Sequence, residues 1–316
     1  MACSVGAPKT FCTLSRTSGG NGAVFAPGEV SGRPGRLPVM ASPLIKLNDG
    51  NAIPAVGLGV FQTPPQETVR AVATALDAGY RHVDTASIYG NEAEVGQAVA
   101  ESGIDRDEVF ITTKLWNADQ GYESTLAAFD ASLERLGIDR LDLYLIHWPT
   151  PAKDAYVDTW KALLQLRADG RIRAAGVCNF QPAHLQRLID ETGEAPAINQ
   201  VELHPRLQQE ELRRFHAQHG IVTEAWSPLA QGGDLLQDDT ITGIARKHAR
   251  TPAQVVLRWH LQVGNVVIPK SVTPSRISEN FDVFGFDLDA EDLAAIAGLD
   301  RAGRIGPDPD EFNVGA

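Results

Sequence analysis

The chain has 316 residues, of which 43% are hydrophobic and 22% charged, and its formal net charge at neutral pH is −12. This length can bury a large core, in one barrel domain or in two smaller domains. The acidic balance argues against a nucleic-acid-binding surface, and no apolar run approaches the length of a membrane span. The composition is that of an ordinary soluble protein, in which any anionic cofactor would need a local basic pocket.

The first 41 residues differ from the rest of the chain. They are rich in Gly, Ser and Pro and almost free of acids, so we expect a disordered N-terminal extension, followed by one domain over residues 42–316. The favoured explanation of this segment is that translation of the native protein starts at Met40. The alternative is that the segment is a transit peptide, because Arg and Ser are present. The cysteines, Cys3, Cys12 and Cys178, give no disulfide framework and suit a reducing cytoplasm.

The patterned region opens with a predicted hairpin around the turn at Asp49-Gly50. Strand-like and helix-like segments then alternate. Strands are predicted at 56–60, 81–85, 109–114, 141–147, 173–178, 197–201, 221–226 and 265–268. Helices are predicted at 66–78, 91–102, 122–136, 155–168, 182–190, 208–219, 252–262 and 274–282, with extra helices at 239–248 and 289–298.

Helix boundaries carry their own signals. Thr251-Pro252 and Thr273-Pro274 each combine an N-cap residue with Pro at the first helical position, and Gly follows several predicted helix ends. Eight strands alternating with eight helices predict an α/β fold, a (β/α)₈ TIM barrel with an N-terminal β-hairpin and extra C-terminal helices. A doubly wound sheet is the alternative, but the turn after the first strand lacks the third glycine of a dinucleotide fingerprint.

Polar residues stand where the predicted strands end. Asp84, Lys114 and His147 close three consecutive strands, and Tyr89 follows Asp84 by one short loop. The later strands end in Cys178-Asn179, Asn199-Gln200, Trp226-Ser227 and Pro269-Lys270-Ser271. In a barrel these ends converge on one rim, which is where active sites lie.

The four residue types form a coherent chemical set. A nearby ammonium stabilises a phenolate and lowers the pKa of a tyrosine, and a carboxylate keeps that ammonium charged. Tyr89 could then protonate a developing alkoxide while His147 orients the carbonyl. The set suits hydride addition to a carbonyl, and because none of these residues supplies hydride, a nicotinamide cofactor is implied.

The sequences of several motifs resemble those of the aldo-keto reductase superfamily. The resemblance is carried by GYRHVDTASIYGNE (79–92), ITTKLW (111–116), DLYLIHWP (142–149) and IPKSVTPSRISEN (268–280), and it runs from about residue 43 to 300. EAWSPL (224–229) and VLRWHLQ (256–262) make the chain similar to bacterial 2,5-diketo-gluconate reductases.

The resemblance implies roles for individual residues. Tyr89 would be the proton donor, Lys114 and Asp84 its tuning pair, and His147 the residue that orients the carbonyl. NADPH would be bound by Cys178, Asn179, Gln200, Trp226, Ser227, Pro228, Leu229, Gln231, Lys270, Ser271, Val272, Thr273, Arg276, Glu279 and Asn280. The substrate pocket would be lined by Phe61, Ile88, Trp116, His147 and Trp148. No metal is expected.

Several expectations stay open at this point. The short segment 148–156 and the short tail after residue 300 predict an open pocket for small carbonyls: aldehydes, α-dicarbonyls and keto-sugar acids. Cys178 stands where the family usually has Ser, and this substitution would weaken cofactor binding slightly or simply be tolerated.

The alternative functions are a Schiff-base aldolase with Lys114 as nucleophile and a barrel kept for cofactor sensing or structure. No nucleic-acid or membrane partner is expected, and a monomer is the family-level expectation.

Overall fold

The computed structural model of the protein describes residues 42–316. The extension expected at 1–41 lies outside the described residues. The predicted hairpin is confirmed: β1 (Leu44–Lys46) pairs antiparallel with β2 (Ala52–Pro54). Side-chain amides of its turn reach the start of two later strands, because Asn48 Nδ2 donates to Pro196 O at 3.0 Å and Asn51 Nδ2 donates to Arg173 O at 2.9 Å. The hairpin therefore covers the amino edge of the main sheet.

The main sheet is parallel, eight-stranded and curled, and its strands lie side by side in chain order. They are β3 (Leu58–Gly59), β4 (His82–Asp84), β5 (Phe110–Leu115), β6 (Leu141–Ile146), β7 (Ile172–Cys178), β8 (Ile198–Glu202), β9 (Val222–Trp226) and β10 (Val266–Val267). Single parallel bridges, Val56 with Val267 and Gly59 with Lys270, join the first strand to the last. An order without reversal rules out the doubly wound alternative and is consistent with a (β/α)₈ architecture.

Residues 42–316 contain ten α-helices, and all ten predicted helices are confirmed within two residues of their ends. They are α1 (Pro65–Ala78), α2 (Glu92–Glu101), α3 (Tyr122–Leu136), α4 (Tyr156–Ala168), α5 (Pro182–Thr192), α6 (Glu210–His219), α7 (Asp239–His248), α8 (Pro252–Gln262), α9 (Pro274–Phe281) and α10 (Ala290–Ala297). None of these helices has the length and apolar character needed to cross a membrane.

Residues predicted to begin or end helices lie at the observed helix ends. Thr251 and Gln254 form a reciprocal capping box at the start of α8. Gly137 adopts a left-handed conformation with φ of 63° directly after α3, where an L-residue with a side chain would be strained. Thr273 occupies the N-cap position of α9, but its side chain makes no capping hydrogen bond.

The apolar core forms two regions that determine where polar groups can lie. The larger region packs between sheet and helices, and the smaller one fills the inside of the curl near the hairpin with Ile53, Phe110, Leu143, Leu145 and Ile198. Toward the carboxyl edge the interior becomes polar, with Asp84, Lys114, Gln200 and Glu224 all buried. Burial of four polar groups in one place requires mutual hydrogen bonds.

Candidate active site

The carboxyl edge of the sheet brings the predicted residues together. Asp84 is the last residue of β4, His147 follows β6 directly, and Trp226 ends β9. Two strands run one residue further than predicted at their carboxyl ends, β5 to Leu115 and β8 to Glu202, so Lys114 and Gln200 lie inside their strands. These two side chains therefore point into the curled sheet rather than stand on the rim.

A buried ion pair joins Asp84 and Lys114. Lys114 Nζ donates to Asp84 Oδ1 at 2.6 Å and to Thr85 O at 2.9 Å. The lysine side chain is 0% exposed, and burial, the largest single effect, lowers its pKa; the charge and hydrogen bond of Asp84, together with smaller effects of Tyr89 and Cys178, outweigh burial and raise the pKa above the ordinary value. Lys114 is consequently a fixed ammonium.

Tyr89 lies beside this ammonium. It ends the short 3₁₀ turn Ser87–Tyr89, and its ring centroid is 5.1 Å from Lys114 Nζ and 5.0 Å from the ring centroid of Phe61. Tyr89 is partly exposed as a residue, whereas the surrounding protein desolvates its hydroxyl. Burial raises the pKa of Tyr89, and the opposing effect of Lys114 reduces this rise without reversing it. The expectation of a lowered tyrosine pKa was therefore wrong for the net value, although the sign of the lysine effect was right.

His147 packs edge-to-face against Tyr89. The ring centroids of the two residues are 5.7 Å apart, and Trp116 packs edge-on against the imidazole at 5.4 Å. Burial, reinforced by the charge of Lys114, lowers the pKa of His147 well below its ordinary value, so the imidazole is neutral. A neutral imidazole carries one N–H, which can donate a hydrogen bond without transferring a full charge.

The four residues predicted to hold a nicotinamide form one hydrogen-bonded group. Trp226 Nε1 donates to Asn179 Oδ1 at 2.8 Å, and Asn179 Nδ2 donates to His147 O at 3.1 Å. Cys178 is buried between the two amides, donating to Gln200 Oε1 at 3.6 Å and accepting from Asn179 Nδ2 at 3.2 Å. The Cys178 thiol thus occupies the position where the family usually has a serine hydroxyl, and its hydrogen bonds are long and weak.

A second cationic group flanks the start of α9. Lys270 and Arg276 are exposed, and neither forms an ion pair with any residue of the described range 42–316. Thr273 leaves the helix N-terminus without a side-chain cap, and Ser271 Oγ accepts from Thr273 N at 3.1 Å. Unpaired cations beside free helix amides are suited to an anion such as a phosphate.

The other predicted cofactor residues lie on two segments. Ser227, Pro228, Leu229 and Gln231 form the loop after β9, in which Ser227 and Gln231 have positive φ values of 47° and 59°. Within α9, Asn280 is buried, and Glu279 accepts a 2.8 Å hydrogen bond from Thr251 Oγ1. Val272 packs against the core before α9. The structure therefore gives Glu279 and Val272 structural contacts in addition to their predicted role.

The predicted pocket has one exposed wall and one covered wall. Phe61 and Ile88 are about half exposed, whereas Trp148 is only 7% exposed, and the ring of Phe312 packs against it at a tilt with the ring centroids 4.3 Å apart. The chain after residue 300 returns to this rim, since Asn117 Nδ2 donates to Val314 O at 2.9 Å. The tail is short, but it covers part of a pocket that was predicted to be open.

Sequence reasoning missed three kinds of residue here. Phe312 and Val314 were not predicted because the tail has no periodic pattern that would place it on the rim. Glu202 was also missed: its buried carboxylate accepts the backbone N–H groups of Ile305 and Gly306 at 2.7 and 2.8 Å and so holds the tail in place. Glu224, buried below Gln200, was read only as part of a motif. For Glu224, the sequence signal that was available is an acidic residue within a predicted buried strand.

Comparisons with known proteins agree with this geometry. The profile of the Aldo/keto reductase family matches residues 55–301. A protein of Mycobacterium sp. (strain JLS) named aldo-keto reductase is 62% identical over 274 residues, covering 87% of this chain and 99% of its own length. Methylglyoxal reductase DkgA of Escherichia coli (strain K12) is 54% identical, with 86% and 99% coverage.

Solved structures give the same result. The aldo/keto reductase from Brucella melitensis is 58% identical with a TM-score of 0.80, covering 82% of this chain and all of its own. A mutant of Gox0644 solved in complex with NADPH is 53% identical with a TM-score of 0.83, covering 86% and 99%. The similarity therefore extends over nearly the whole of each relative, and the family profile spans every strand end described above.

Proposed function

Because the chain belongs to the aldo/keto reductase family, we propose that residues 42–316 form a single closed (β/α)₈ barrel that catalyses NADPH-dependent reduction of carbonyl compounds to alcohols. The observation that carries the proposal is the buried Lys114–Asp84 pair next to Tyr89 and a neutral His147. Relatives named methylglyoxal reductase and a neighbour solved with NADPH support the reaction class and the cofactor.

Tyr89 is the proton donor in this proposal. Its raised pKa keeps the hydroxyl protonated throughout the physiological range, and an alkoxide is a much stronger base than a phenolate. Lys114 acts when the proton leaves, because its fixed charge stabilises the phenolate that remains. Asp84 holds the ammonium in position and keeps it charged. In the balanced reaction, bound NADPH supplies a hydride to the carbonyl carbon, Tyr89 supplies a proton to the oxygen, and solvent later restores the tyrosine proton.

His147 orients the substrate. A neutral imidazole can donate its N–H to the carbonyl oxygen, and Tyr89 is close enough on the opposite side for both groups to reach the same oxygen. The hydrogen-bond partners of an imidazole determine which of its two nitrogens carries the proton. In His147, Nδ1 has no hydrogen-bond partner within residues 42–316. A charged imidazolium would compete with Tyr89 as acid, so the lowered pKa assigns the two residues separate roles.

The cofactor fits two groups of residues. The amides of Asn179 and Gln200 suit a nicotinamide carboxamide, and the indole of Trp226 suits its ring. Lys270 and Arg276 lie beside the start of α9, pair with no acid among residues 42–316, and suit the 2′-phosphate that distinguishes NADPH from NADH. In a protein of net charge −12, two exposed cations without an acidic partner in the described part of the chain support selection for this phosphate.

The proposed substrates are small carbonyl compounds, including α-dicarbonyls and sugar-derived keto acids. Three aromatic residues, Phe61, Trp116 and Trp148, give the pocket an apolar lining, and Phe312 restricts its size from the tail. We further propose a monomer located in the cytoplasm. Cys178, the single cysteine between residues 42 and 316, is an unpaired thiol, which is compatible with a reducing compartment.

The two alternative functions are less well supported. An aldolase needs a neutral Lys114, but Asp84 raises the pKa of this lysine and keeps it cationic. A sensing or structural role needs no intact proton donor, whereas every member of the predicted tetrad lies at one site.

Deuterium transfer tests the proposed reaction directly. The protein would be incubated with a panel of small aldehydes and α-dicarbonyls and with NADPH carrying deuterium on one face of C4. We expect deuterium at the new carbinol carbon from one face only, and a kcat/KM with NADPH well above that with NADH. Absence of transfer to every carbonyl would reject the function, and equal values for the two cofactors would reject the phosphate assignment.

A further inference from the structure

A second carboxyl group lies below the ion pair, in the middle of β9. Glu224 is 0% exposed and pairs in register with Gln200 of β8. Gln200 Nε2 donates to Glu224 Oε2 at 2.8 Å and to Asp84 Oδ2 at 2.8 Å. One amide nitrogen therefore connects two buried carboxyl groups, and only one of them, Asp84, also receives a hydrogen bond from Lys114.

The other oxygen of Glu224 is poorly satisfied. Oε1 has no hydrogen-bond partner among residues 42–316, and its nearest basic neighbour, His82 Nε2, is 3.8 Å away. His82 cannot neutralise it, because burial and the charge of Lys114 lower the pKa of this histidine to about 3. An ionised Glu224 would be a buried charge with an unpartnered oxygen, which is strongly unfavourable.

The titratable groups that face Glu224 come from three strands. They are His82 and Asp84 of β4, Lys114 of β5 and Cys178 of β7. His82 stays neutral, Lys114 stays charged, and burial raises the pKa of Cys178. Burial raises the pKa of Asp84 as well, but the charge of Lys114 and its hydrogen bond to Asp84 oppose this rise. Glu224 has no hydrogen bond from Lys114, and burial followed by the charge of Asp84 raises its pKa to about 8, so Glu224 is the acid of the pair that holds its proton at neutral pH.

We propose that Glu224 is a positioning residue whose proton governs the pH dependence of carbonyl reduction, acting through Gln200 on the Asp84–Lys114 pair and so on Tyr89. The inference rests on the proposed function, in which Tyr89 donates the proton. With Glu224 protonated, the interior holds one positive and one negative charge. With Glu224 ionised, a second negative charge offsets the field of Lys114 at Tyr89, and the tyrosine becomes a weaker acid.

The test is the pH profile of hydride transfer. The rate of NADPH oxidation in a single turnover would be measured from about pH 6 to about pH 10, with NADPH affinity measured in parallel. Wild type is expected to lose roughly tenfold in rate with a midpoint near pH 8. Glu224→Gln keeps the shape and the hydrogen bond but cannot ionise, so its profile should be flat, with NADPH affinity within about twofold of wild type.

Two further variants complete the design. Glu224→Asp retains a carboxyl and should restore an inflection, whereas the exposed Glu210→Gln on α6 should leave the wild-type profile unchanged. A carboxyl stretch in infrared spectra of the wild-type holoenzyme should disappear over the same pH range, which provides the test if Glu224→Gln does not fold. A wild-type inflection that persists in Glu224→Gln, or a carboxyl signal absent at neutral pH, would overturn the inference. Failure of wild type to reduce any carbonyl would instead reject the proposed function.

Discussion

Replacing Asp84 with Asn would leave Lys114 as a buried ammonium without a counter-ion. The pair is joined at 2.6 Å, and the two side chains are 3% and 0% exposed, so water cannot take the place of the carboxylate. Removing one partner of a buried ion pair typically destabilises a protein by about 3–5 kcal/mol. We expect Asp84→Asn to lose this amount of unfolding free energy near neutral pH and to lose most of its turnover.

The pH dependence identifies the cause of that loss. In the variant, burial lowers the pKa of Lys114 below its ordinary value of 10.5, so the folded state is penalised while the unfolded lysine stays protonated. The stability difference between wild type and variant should therefore shrink as the pH rises toward 10.5.

Urea denaturation at several pH values measures both effects, provided that the m-values agree. Asp158→Asn is a matched control, because Asp158 pairs with Lys161 at 3.0 Å but the two side chains are 66% and 47% exposed. An exposed pair of this kind contributes about 0–1 kcal/mol. If Asp84→Asn is no less stable than Asp158→Asn, the interior pair does not have the energetic role assigned to it.

Three other predictions concern the cofactor, the interior acid and the tail. Arg276→Ala should lower kcat/KM for NADPH about 10–100-fold and change the value for NADH less than about threefold, because only NADPH carries the 2′-phosphate; equal losses would contradict the assignment. The pKa of Glu224 is about 8 in the folded protein against an ordinary value of 4.5. The free energy by which protonated Glu224 stabilises the folded state is therefore fully present below pH 4.5 and is lost as the pH rises to about 8. Denaturation of Glu224→Gln should show a gain over wild type that grows across this range, and a constant difference would count against a protonated Glu224. Phe312→Ala should remove the contact with Trp148 and raise kcat/KM for bulky carbonyls relative to small ones, measured as a ratio on one panel; an unchanged ratio would show that the tail does not limit the pocket.

Local signals made much of the fold predictable. The ends of α3 and α8 were predicted to the residue, because Gly137 stops one helix and the Thr251-Pro252 pair starts the other. The end strands were predicted too long: β3 and β10 have two residues each, and the chain around them is joined by single bridges. Gly59 fits this junction because a Cβ there would lie 2.8 Å from Ile268 O.

The candidate site was predictable in its members but not in its energetics. Motif and strand-end position identified Asp84, Lys114 and His147, because a residue's place along a strand depends on local sequence. The net pKa of Tyr89 depends on how much protein surrounds its hydroxyl, which no local pattern gives. The hydrogen bond from Gln200 to both Asp84 and Glu224 joins three strands, so it too follows from tertiary packing alone.

Tyr89→Phe is the sharpest test of the proposed proton donor, because it removes one hydroxyl and leaves the ring contacts with Phe61 and His147 in place. The measurement is the single-turnover rate of carbonyl reduction, together with NADPH affinity, using the partly exposed Tyr122→Phe on α3 as control. A general acid contributes about 10²–10⁴-fold to a rate. We expect Tyr89→Phe to lose activity by that factor while NADPH affinity and the control variant stay unchanged, and a Tyr89→Phe rate within tenfold of wild type would show that Tyr89 is not the proton donor.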